Sequence, residues 1–283
     1  MDGGSRRGEK TGWTRLPSAR RCGTTYSGSA NMEFCPTPAH AKKLITDASV
    51  RLTILGASYI PFPHPVRELS KFIGNSSRSS LLVYDGSHVL GLIACAEFQD
   101  PLREGAKVLF GSTHKSLYGP QGGIVLTNSS EHEKILRNFL EIDLEAGIAL
   151  VDNPHVNRIA ALGIALEEMS RNRNYGRRVI RNAKALAKAL DESGVPVRFR
   201  ERGYTESHQI LLNLSPEAAE KLCRQLENVG IFVDITGRIG VAEVTRRGMG
   251  PSEMGRVAEL MKEVYKKGPQ EGLKKRVHRL MKH

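Results

Sequence analysis

Residues 110–126 read FGSTHKSLYGPQGGIVL. A short apolar run is followed by Ser112, Thr113, His114 and Lys115, then by a turn rich in glycine and proline, and then by a second apolar run. Short apolar runs bounded by turn residues are typical of buried β-strands. The stretch therefore predicts two strands, with a single lysine at the point where the chain leaves the first of them.

Similar apolar runs flank this stretch. RLTILGAS and SLLVYDGSH precede it, and the helical pattern HPVRELSKFIG lies between those two runs. AKVLFGST and GGIVLTN are the two runs around the lysine. Apolar strands joined by helical segments predict an α/β fold, with a mostly parallel sheet covered by helices on both faces.

The second half of the chain has a different rhythm. Two strongly helical segments, NRIAALGIALEEM and RRVIRNAKALAKALDESG, come first. The strand-like segments VPVRF, HQILLNL, IFVDI and RIGVAEV then alternate with two helices, which predicts a small α+β domain. The predicted organisation is an irregular or disordered segment 1–48, a partial large domain 49–152, connecting helices 153–193, a small domain 194–268 and a basic tail 269–283.

Charge does not favour a nucleic-acid-binding protein. The formal net charge is +12, but residues 1–21 carry six Lys/Arg against two acids and residues 266–283 carry seven against one. These two ends therefore account for +4 and +6, and the body of the chain is near neutral. The tail places Leu273, Val277 and Leu280 at helical spacing, which predicts a helix packed by one face with its basic residues in solvent. Contact of these basic residues with a polyanion is the alternative.

The remaining composition points to a cytoplasmic protein. No apolar run approaches the ~20 residues of a membrane span, and no signal peptide is recognisable at the N-terminus. The four cysteines stand singly along the chain, so neither a disulfide framework nor a structural zinc site is indicated. We expect reduced thiols, no membrane association and no bound metal.

Polar residues follow three predicted strands, and ligands of open α/β sheets bind outside the carboxyl ends of the strands. These residues are Ser58, the pair Asp85 and His88, and the run from Ser112 to Lys115. A Walker-type phosphate loop is excluded because His114, not glycine, precedes the lysine. The alternative is a Schiff base between Lys115 and an aldehyde cofactor, which indicates pyridoxal phosphate. Asp85 would keep the ring nitrogen of that cofactor protonated, and His88 would orient the ring.

Each of these residues also has a simpler interpretation. Asp85 could cap the following helix, His88 could be an ordinary surface or core histidine, and Lys115 could merely be exposed. The three together, in this order and at three neighbouring strand ends, favour the cofactor site.

The segments YDGSHVLGLIA and GSTHKSLYGPQGG resemble the serine hydroxymethyltransferase family, especially its archaeal members. YTESHQILL and RIGVAEVTRRGMG are similar to the small domain of that family. The resemblance covers roughly residues 49–268. It implies Lys115, Asp85 and His88 as catalytic residues that also bind the cofactor, Ser58, Ser112 and His114 as further cofactor-binding residues, and Arg238 as the residue that binds the substrate carboxylate.

The resemblance also implies a fold and an activity. The fold would be a partial fold-type-I large domain of pyridoxal-phosphate enzymes with a small C-terminal α+β domain. The activity would interconvert serine and glycine, with a reduced folate or methanopterin as the one-carbon acceptor and an amino acid as the small-molecule substrate. A homodimer is expected from the same resemblance.

Two departures from the family leave alternatives open. Val241 stands where the family usually has threonine, and about the first third of the family's chain, including a catalytic glutamate, finds no match. YSGSAN at Tyr26–Asn31 resembles a phosphate-binding Ser-Gly-Ser but is equally consistent with a loop leading into the Leu52 strand. We therefore expect an N-terminally truncated chain that binds pyridoxal phosphate weakly by itself. The alternatives are an aldolase or lyase acting on β-hydroxy amino acids, and a non-catalytic homologue that serves as a binding or assembly subunit.

Overall fold

The computed structural model describes residues 38–47, 50–75, 80–140 and 155–281. Most of the predicted irregular segment, with Tyr26–Asn31, lies outside these residues. Its last part was predicted wrongly, because Pro38–Asp47 form helix α1. Ala41 and Ile45, four residues apart, are buried in the main core. This short apolar pair anchors the helix but is too brief to give a recognisable period in the sequence.

The four strands predicted in the first half are present. They are β1 (Leu52–Leu55), β2 (Leu81–Asp85), β3 (Val108–Ser112) and β4 (Gly123–Leu126), adjacent in that order in one sheet. Strands β1 to β3 are parallel, with α2 (Val66–Gly74) and α3 (Leu90–Ala94) in the connections. Strand β4 is antiparallel to β3, because the lysine-bearing loop returns the chain directly without a crossover helix.

The parallel pairing determines where the polar strand ends lie. Leu55 is paired with Tyr84, and Asp85 is paired with Phe110. The carboxyl ends of β1, β2 and β3 therefore reach the same edge of the sheet. Ser58, Asp85 and Lys115 consequently lie at or just beyond the ends of three adjacent strands.

The main core lies against one face of this sheet. Leu55, Tyr84 and Leu109 point to that face and are at most 5% exposed. They belong to the same apolar cluster as the buried residues of α6 (Tyr175–Glu192). Leu52 and Ile54 alternate with Leu55 along β1 and are about half exposed, at 49% and 53%.

The second half contains more helix and less strand than its sequence predicts. Helices α4 (Ser130–Leu140) and α5 (Val156–Arg171) precede α6, and β5 (Gln209–Leu211) pairs with β6 (Arg238–Gly240) in a two-stranded antiparallel sheet. The remaining α-helices of the described residues are α7 (Pro216–Asn228), α8 (Ala242–Arg246), α9 (Pro251–Lys267) and α10 (Leu273–Leu280).

Two strand predictions in this half were wrong. IFVDI, at residues 231–235, forms no strand: Phe232 is 79% exposed and Ile235 48% exposed. VPVRF makes only a single bridge, between Val197 and Leu212. Apolar, β-branched composition produces a strand only where another strand offers backbone partners. Among the described residues, IFVDI has no partner strand, and VPVRF pairs with residues 211–213 only through the single bridge and the two backbone hydrogen bonds beside it.

The basic tail folds as its spacing predicts. Leu273, Val277 and Leu280 are buried on one face of α10, and Arg276 donates two hydrogen bonds to Glu263 of α9, at 2.7 and 2.8 Å. Across the described ranges, none of the helices has the length and apolar character that crossing a membrane requires.

Candidate active site

The loop that carries Lys115 is closed by its own hydrogen bonds. The Thr113 amide donates to the Gly122 carbonyl at 3.0 Å, and the Gly119 amide donates to the Thr113 carbonyl at 2.7 Å. The Thr113 hydroxyl donates to the Pro120 carbonyl at 2.6 Å. The glycines and the proline therefore form a compact turn that holds the lysine at the end of β3.

Helices α3 and α6 hold the residue next to the lysine. The Gly91 amide of α3 donates to the Ser116 hydroxyl at 3.1 Å, and the Tyr175 hydroxyl of α6 donates to the Ser116 carbonyl at 3.0 Å. Ser116 is only 1% exposed, while Lys115 beside it is exposed. The loop is thus anchored at Ser116, and Lys115 is exposed at the edge of the sheet.

Lys115 and His88 are in direct contact. The Lys115 Nζ lies 3.1 Å from the His88 Nε2. Burial, followed by the charges of Lys115 and Arg238, lowers the pKa of His88 to about 4. The imidazole is therefore neutral at pH 7, and a neutral imidazole with its proton on Nδ1 can accept a hydrogen bond from the lysine at Nε2.

Asp85 stands beside this pair. Its Oδ1 accepts the Ser87 amide at 2.9 Å, while its Oδ2 forms no hydrogen bond within the described part of the chain. Helix α3 begins after Val89 without any side-chain cap, so Asp85 does not cap it. The charge of Asp85 acts on the His88 imidazole, which places the carboxylate in the same cluster.

Arg238 comes to the same edge from β6. Its Nη1 donates to the Ser58 carbonyl at 2.6 Å, and its Nη2 bonds the Asp234 Oδ2 at 2.5 Å. Its guanidinium lies 5.3 Å from the ring centroid of Tyr59. The small sheet therefore brings an arginine to the end of β1, across a sequence separation of 180 residues.

The other residues predicted to bind the cofactor, Ser58, Ser112 and His114, make different contacts from one another. Ser58 is exposed, and its contact with Arg238 is through its carbonyl group. The Ser112 amide donates to the Ser87 hydroxyl at 3.2 Å, which ties β3 to the loop after β2. His114 is exposed, and its Nδ1 accepts the Gly122 amide at 3.5 Å, so it contacts the glycine-rich turn. The roles of Ser58, Ser112 and His114 toward a cofactor stay predictions.

The sequence analysis did not predict two residues of this region, Gln209 at the start of β5 and His208 directly before it. Gln209 is 1% exposed; its Oε1 accepts the Ile60 amide at 2.6 Å and its Nε2 donates to the Ser58 carbonyl at 3.0 Å. His208 is 7% exposed. Burial, followed by the charges of His88, Arg238 and Lys115, lowers its pKa to about 3. The available signal was a polar pair at the start of the apolar run HQILL.

The buried histidine predicts acid sensitivity. Its folded pKa, about 3, lies below the ordinary value of 6.5, so the unfolded chain binds a proton that the folded chain does not. The stability due to neutral His208 is thus present above the ordinary pKa and is lost as the pH falls toward the folded pKa. Between pH 7 and pH 5 the wild-type chain should lose about 2 kcal/mol through this group.

Urea unfolding of wild type and His208→Gln at the two pH values measures this loss. The variant should be less stable than wild type at pH 7 but should show a smaller decrease at pH 5. Equal decreases in both proteins would mean that His208 is not the group that titrates.

Comparison with known proteins identifies the family of the chain. The sequence model described as serine hydroxymethyltransferase matches residues 46–261. The chain belongs to the serine hydroxymethyltransferase family. The serine hydroxymethyltransferase of Methanocaldococcus jannaschii is 39% identical over 243 residues, and that of Korarchaeum cryptofilum is 42% identical over 241 residues. Each match covers 78% of this chain and 54% of the relative, so the chain spans about half the length of these relatives.

A solved structure shares the fold. The L-threonine transaldolase of Pseudomonas fluorescens, determined in its internal aldimine state, superimposes with a TM-score of 0.77 at 28% identity. The match covers 88% of this chain and 58% of the transaldolase. The predicted fold class is confirmed: this is an α/β chain with part of a fold-type-I large domain and a small C-terminal domain.

The donor set at the sheet edge fits the cofactor of this fold. An amine held by a neutral imidazole, a carboxylate with one oxygen that accepts no bond in the described residues, and a guanidinium lie together. The amine can condense with an aldehyde, the carboxylate can hold a protonated pyridine nitrogen, and the guanidinium can bind the carboxylate of a substrate. By contrast, no group of three or more His, Cys, Asp or Glu side chains among the described residues is arranged to hold a metal ion.

Proposed function

We propose that this chain carries the pyridoxal-phosphate site of a serine hydroxymethyltransferase and takes part in the interconversion of serine and glycine. The observation that supports this most directly is the 3.1 Å contact between Lys115 and His88 at the carboxyl edge of the parallel strands. Family membership supports the cofactor. The one-carbon acceptor in the proposal is a reduced folate or methanopterin.

The cofactor, when bound, supplies an aldehyde that condenses with amines and a cationic ring that withdraws electrons from the substrate Cα. In the proposal, Lys115 is the attachment point, and the neutral Nε2 of His88 holds its amine in place. The Oδ2 of Asp85 would accept a hydrogen bond from the protonated ring nitrogen, and its negative charge would favour the cationic ring. Arg238 binds the carboxylate of the amino acid through its planar fork of donors.

His88 is assigned to hydrogen bonding in this proposal. Its pKa of about 4 makes it a weak base at pH 7, so proton transfers at the substrate require another group. Ser58, Ser112 and His114 are assigned to the border of the cofactor site. A cytoplasmic homodimer is the proposed state of the protein, in line with the usual oligomeric character of the family.

A labelling experiment tests the attachment site. The full chain is incubated with pyridoxal phosphate, reduced with borohydride, and mapped by peptide mass spectrometry. The expected result is a pyridoxyl group on Lys115 at a stoichiometry well above that of Lys107, an exposed lysine one residue before β3. Reduction traps a weak and reversible adduct, so the result does not depend on tight cofactor binding. Labelling spread evenly over the lysines contradicts the assignment.

The structural likeness to L-threonine transaldolase favours a second candidate, a related activity on β-hydroxy amino acids. Both candidates use the same lysine, carboxylate and arginine. Serine cleavage that accelerates with a reduced pterin supports the hydroxymethyltransferase, and cleavage of threonine that is indifferent to the pterin supports the alternative.

A further inference from the structure

The guanidinium of Arg238 is already engaged by acceptors of its own chain. Nη1 donates to the Ser58 carbonyl at 2.6 Å, and Nη2 bonds the Asp234 carboxylate at 2.5 Å. The Arg238 side chain is 20% exposed and that of Asp234 is 29% exposed. Because water screens this pair only in part, the ion pair is stronger than one on an open surface.

Asp234 is fixed in the position that makes this contact. Its Oδ1 accepts both the amide of Thr236, at 2.9 Å, and the hydroxyl of Thr236, at 2.5 Å. The Asp234 amide donates to the Arg238 carbonyl at 3.1 Å, and the Gly237 amide donates to the Asp234 carbonyl at 3.0 Å. Gly237 has φ +81, a conformation that glycine adopts readily, so the turn is closed without strain. Turning Asp234 away from Arg238 therefore costs hydrogen bonds of this turn.

The charges around the site consequently balance. Burial opposes ionisation of Asp234, but the bonds from Thr236 and the charge of Arg238 outweigh it and lower the pKa of the carboxyl. Asp234 and Asp85 thus offset Arg238 and Lys115, while His88 is neutral at pH 7. A carboxylate that reaches Arg238 would lie next to the like charge of Asp234 and would compete with it for the same guanidinium.

We propose that Asp234 is a specificity-determining residue, which competes for Arg238 and so excludes ligands that only a carboxylate could hold. An amino acid has a second point of attachment, its amine on the Lys115 side, and can displace Asp234 with the help of that second contact. A 2-hydroxy acid of the same size has no such amine. The inference rests on the proposed function, in which Arg238 binds the substrate carboxylate.

The effect of Asp234 on the reactivity of the Arg238 guanidinium can be measured without any ligand. Phenylglyoxal modifies guanidinium groups, and peptide mass spectrometry gives the rates at Arg238 and at Arg200 separately. Asn at position 234 keeps an oxygen for Thr236 but removes the charge, so Asp234→Asn should be modified about tenfold faster at Arg238 than wild type. Thr236→Ala, which loosens Asp234 but keeps its charge, should give an intermediate rate.

The matched control is Asp191→Asn. Asp191 accepts the Tyr204 hydroxyl at 2.9 Å and pairs with Arg200 at 3.4 Å, outside the site. This variant should leave the Arg238 rate unchanged, while the rate at Arg200 rises. Equal Arg238 rates in wild type, Asp234→Asn and Thr236→Ala would overturn the proposal.

Protection of Arg238 by ligands tests the specificity itself. In Asp234→Asn, L-lactate should halve the modification rate at a concentration about tenfold lower than in wild type. Protection by lactate that is absent from Asp234→Asn, or equal in the two proteins, overturns the role of Asp234. Failure of L-serine with pyridoxal phosphate to protect wild type, while lactate behaves as expected, counts against the proposed function alone.

Discussion

Replacing Gly91 with alanine should lower the free energy of unfolding by about 3 kcal/mol or more, although alanine is the better helix former. A Cβ at this position of α3 would collide with the carbonyl group of Ser116 and would lie 2.7 Å from the Leu117 amide nitrogen. These are backbone atoms of the lysine loop, which the Tyr175 hydroxyl also holds through the Ser116 carbonyl. The loop therefore cannot move aside without losing its anchor.

Gly163 provides the matched control, because it also lies within a helix. A Cβ at Gly163 of α5 meets nothing within 4 Å, so Gly163→Ala should stabilise the chain by up to about 1 kcal/mol. Urea unfolding measures both changes, and borohydride labelling reports whether Lys115 is still presented. Equal, small effects of the two substitutions would show that α3 does not pack against the lysine loop as closely as described.

Replacing Asp85 with asparagine should reduce any catalysis by at least about a hundredfold, the scale of losing one key electrostatic partner. A neutral amide cannot hold a cationic ring nitrogen, whereas its oxygen can still accept the Ser87 amide that Oδ1 accepts now, at 2.9 Å. The fold should therefore survive. Exchange of the glycine Cα proton with solvent, followed by NMR, measures the chemistry, and the visible absorbance of added pyridoxal phosphate reports the state of the ring independently.

The control for this experiment is Asp100→Asn. Asp100 also accepts a backbone amide, from Arg103 at 3.2 Å, but it lies in an exposed turn away from the cluster. Unchanged stability in both variants, with exchange and absorbance altered only in Asp85→Asn, is the expected pattern. An Asp85→Asn chain with wild-type exchange and absorbance would leave Asp85 with the single role of holding the turn before α3.

Much of the site was predictable because it is local in sequence. Short apolar runs indicate the strands around Lys115, and Asp85, His88 and Lys115 lie at or within three residues of strand ends. Once β1 to β3 are parallel, those ends must share one edge of the sheet. The predicted carboxylate, imidazole and amine are therefore neighbours for a reason that composition and spacing already contain.

The second half was less predictable because its strands depend on partners. IFVDI has the composition of a strand, yet Phe232 is 79% exposed and no strand forms there. RIGVAEV forms a strand only over Arg238–Gly240 and then turns into α8. Local propensity cannot report whether another backbone is available to pair with, and in this domain the available strand is short.

The amino-acid sequence by itself determined the α/β class, the strand ends that carry Asp85, His88 and Lys115, and the family. Only the tertiary structure decided what surrounds them. Gln209 reaches Ser58 across 151 residues, and Arg238 reaches the same carbonyl across 180. Contacts of this kind join one side chain to a distant backbone group and repeat with no period, so no pattern along the chain announces them. Their existence depends on how the small sheet docks against the end of β1, which is settled by the packing of the whole core.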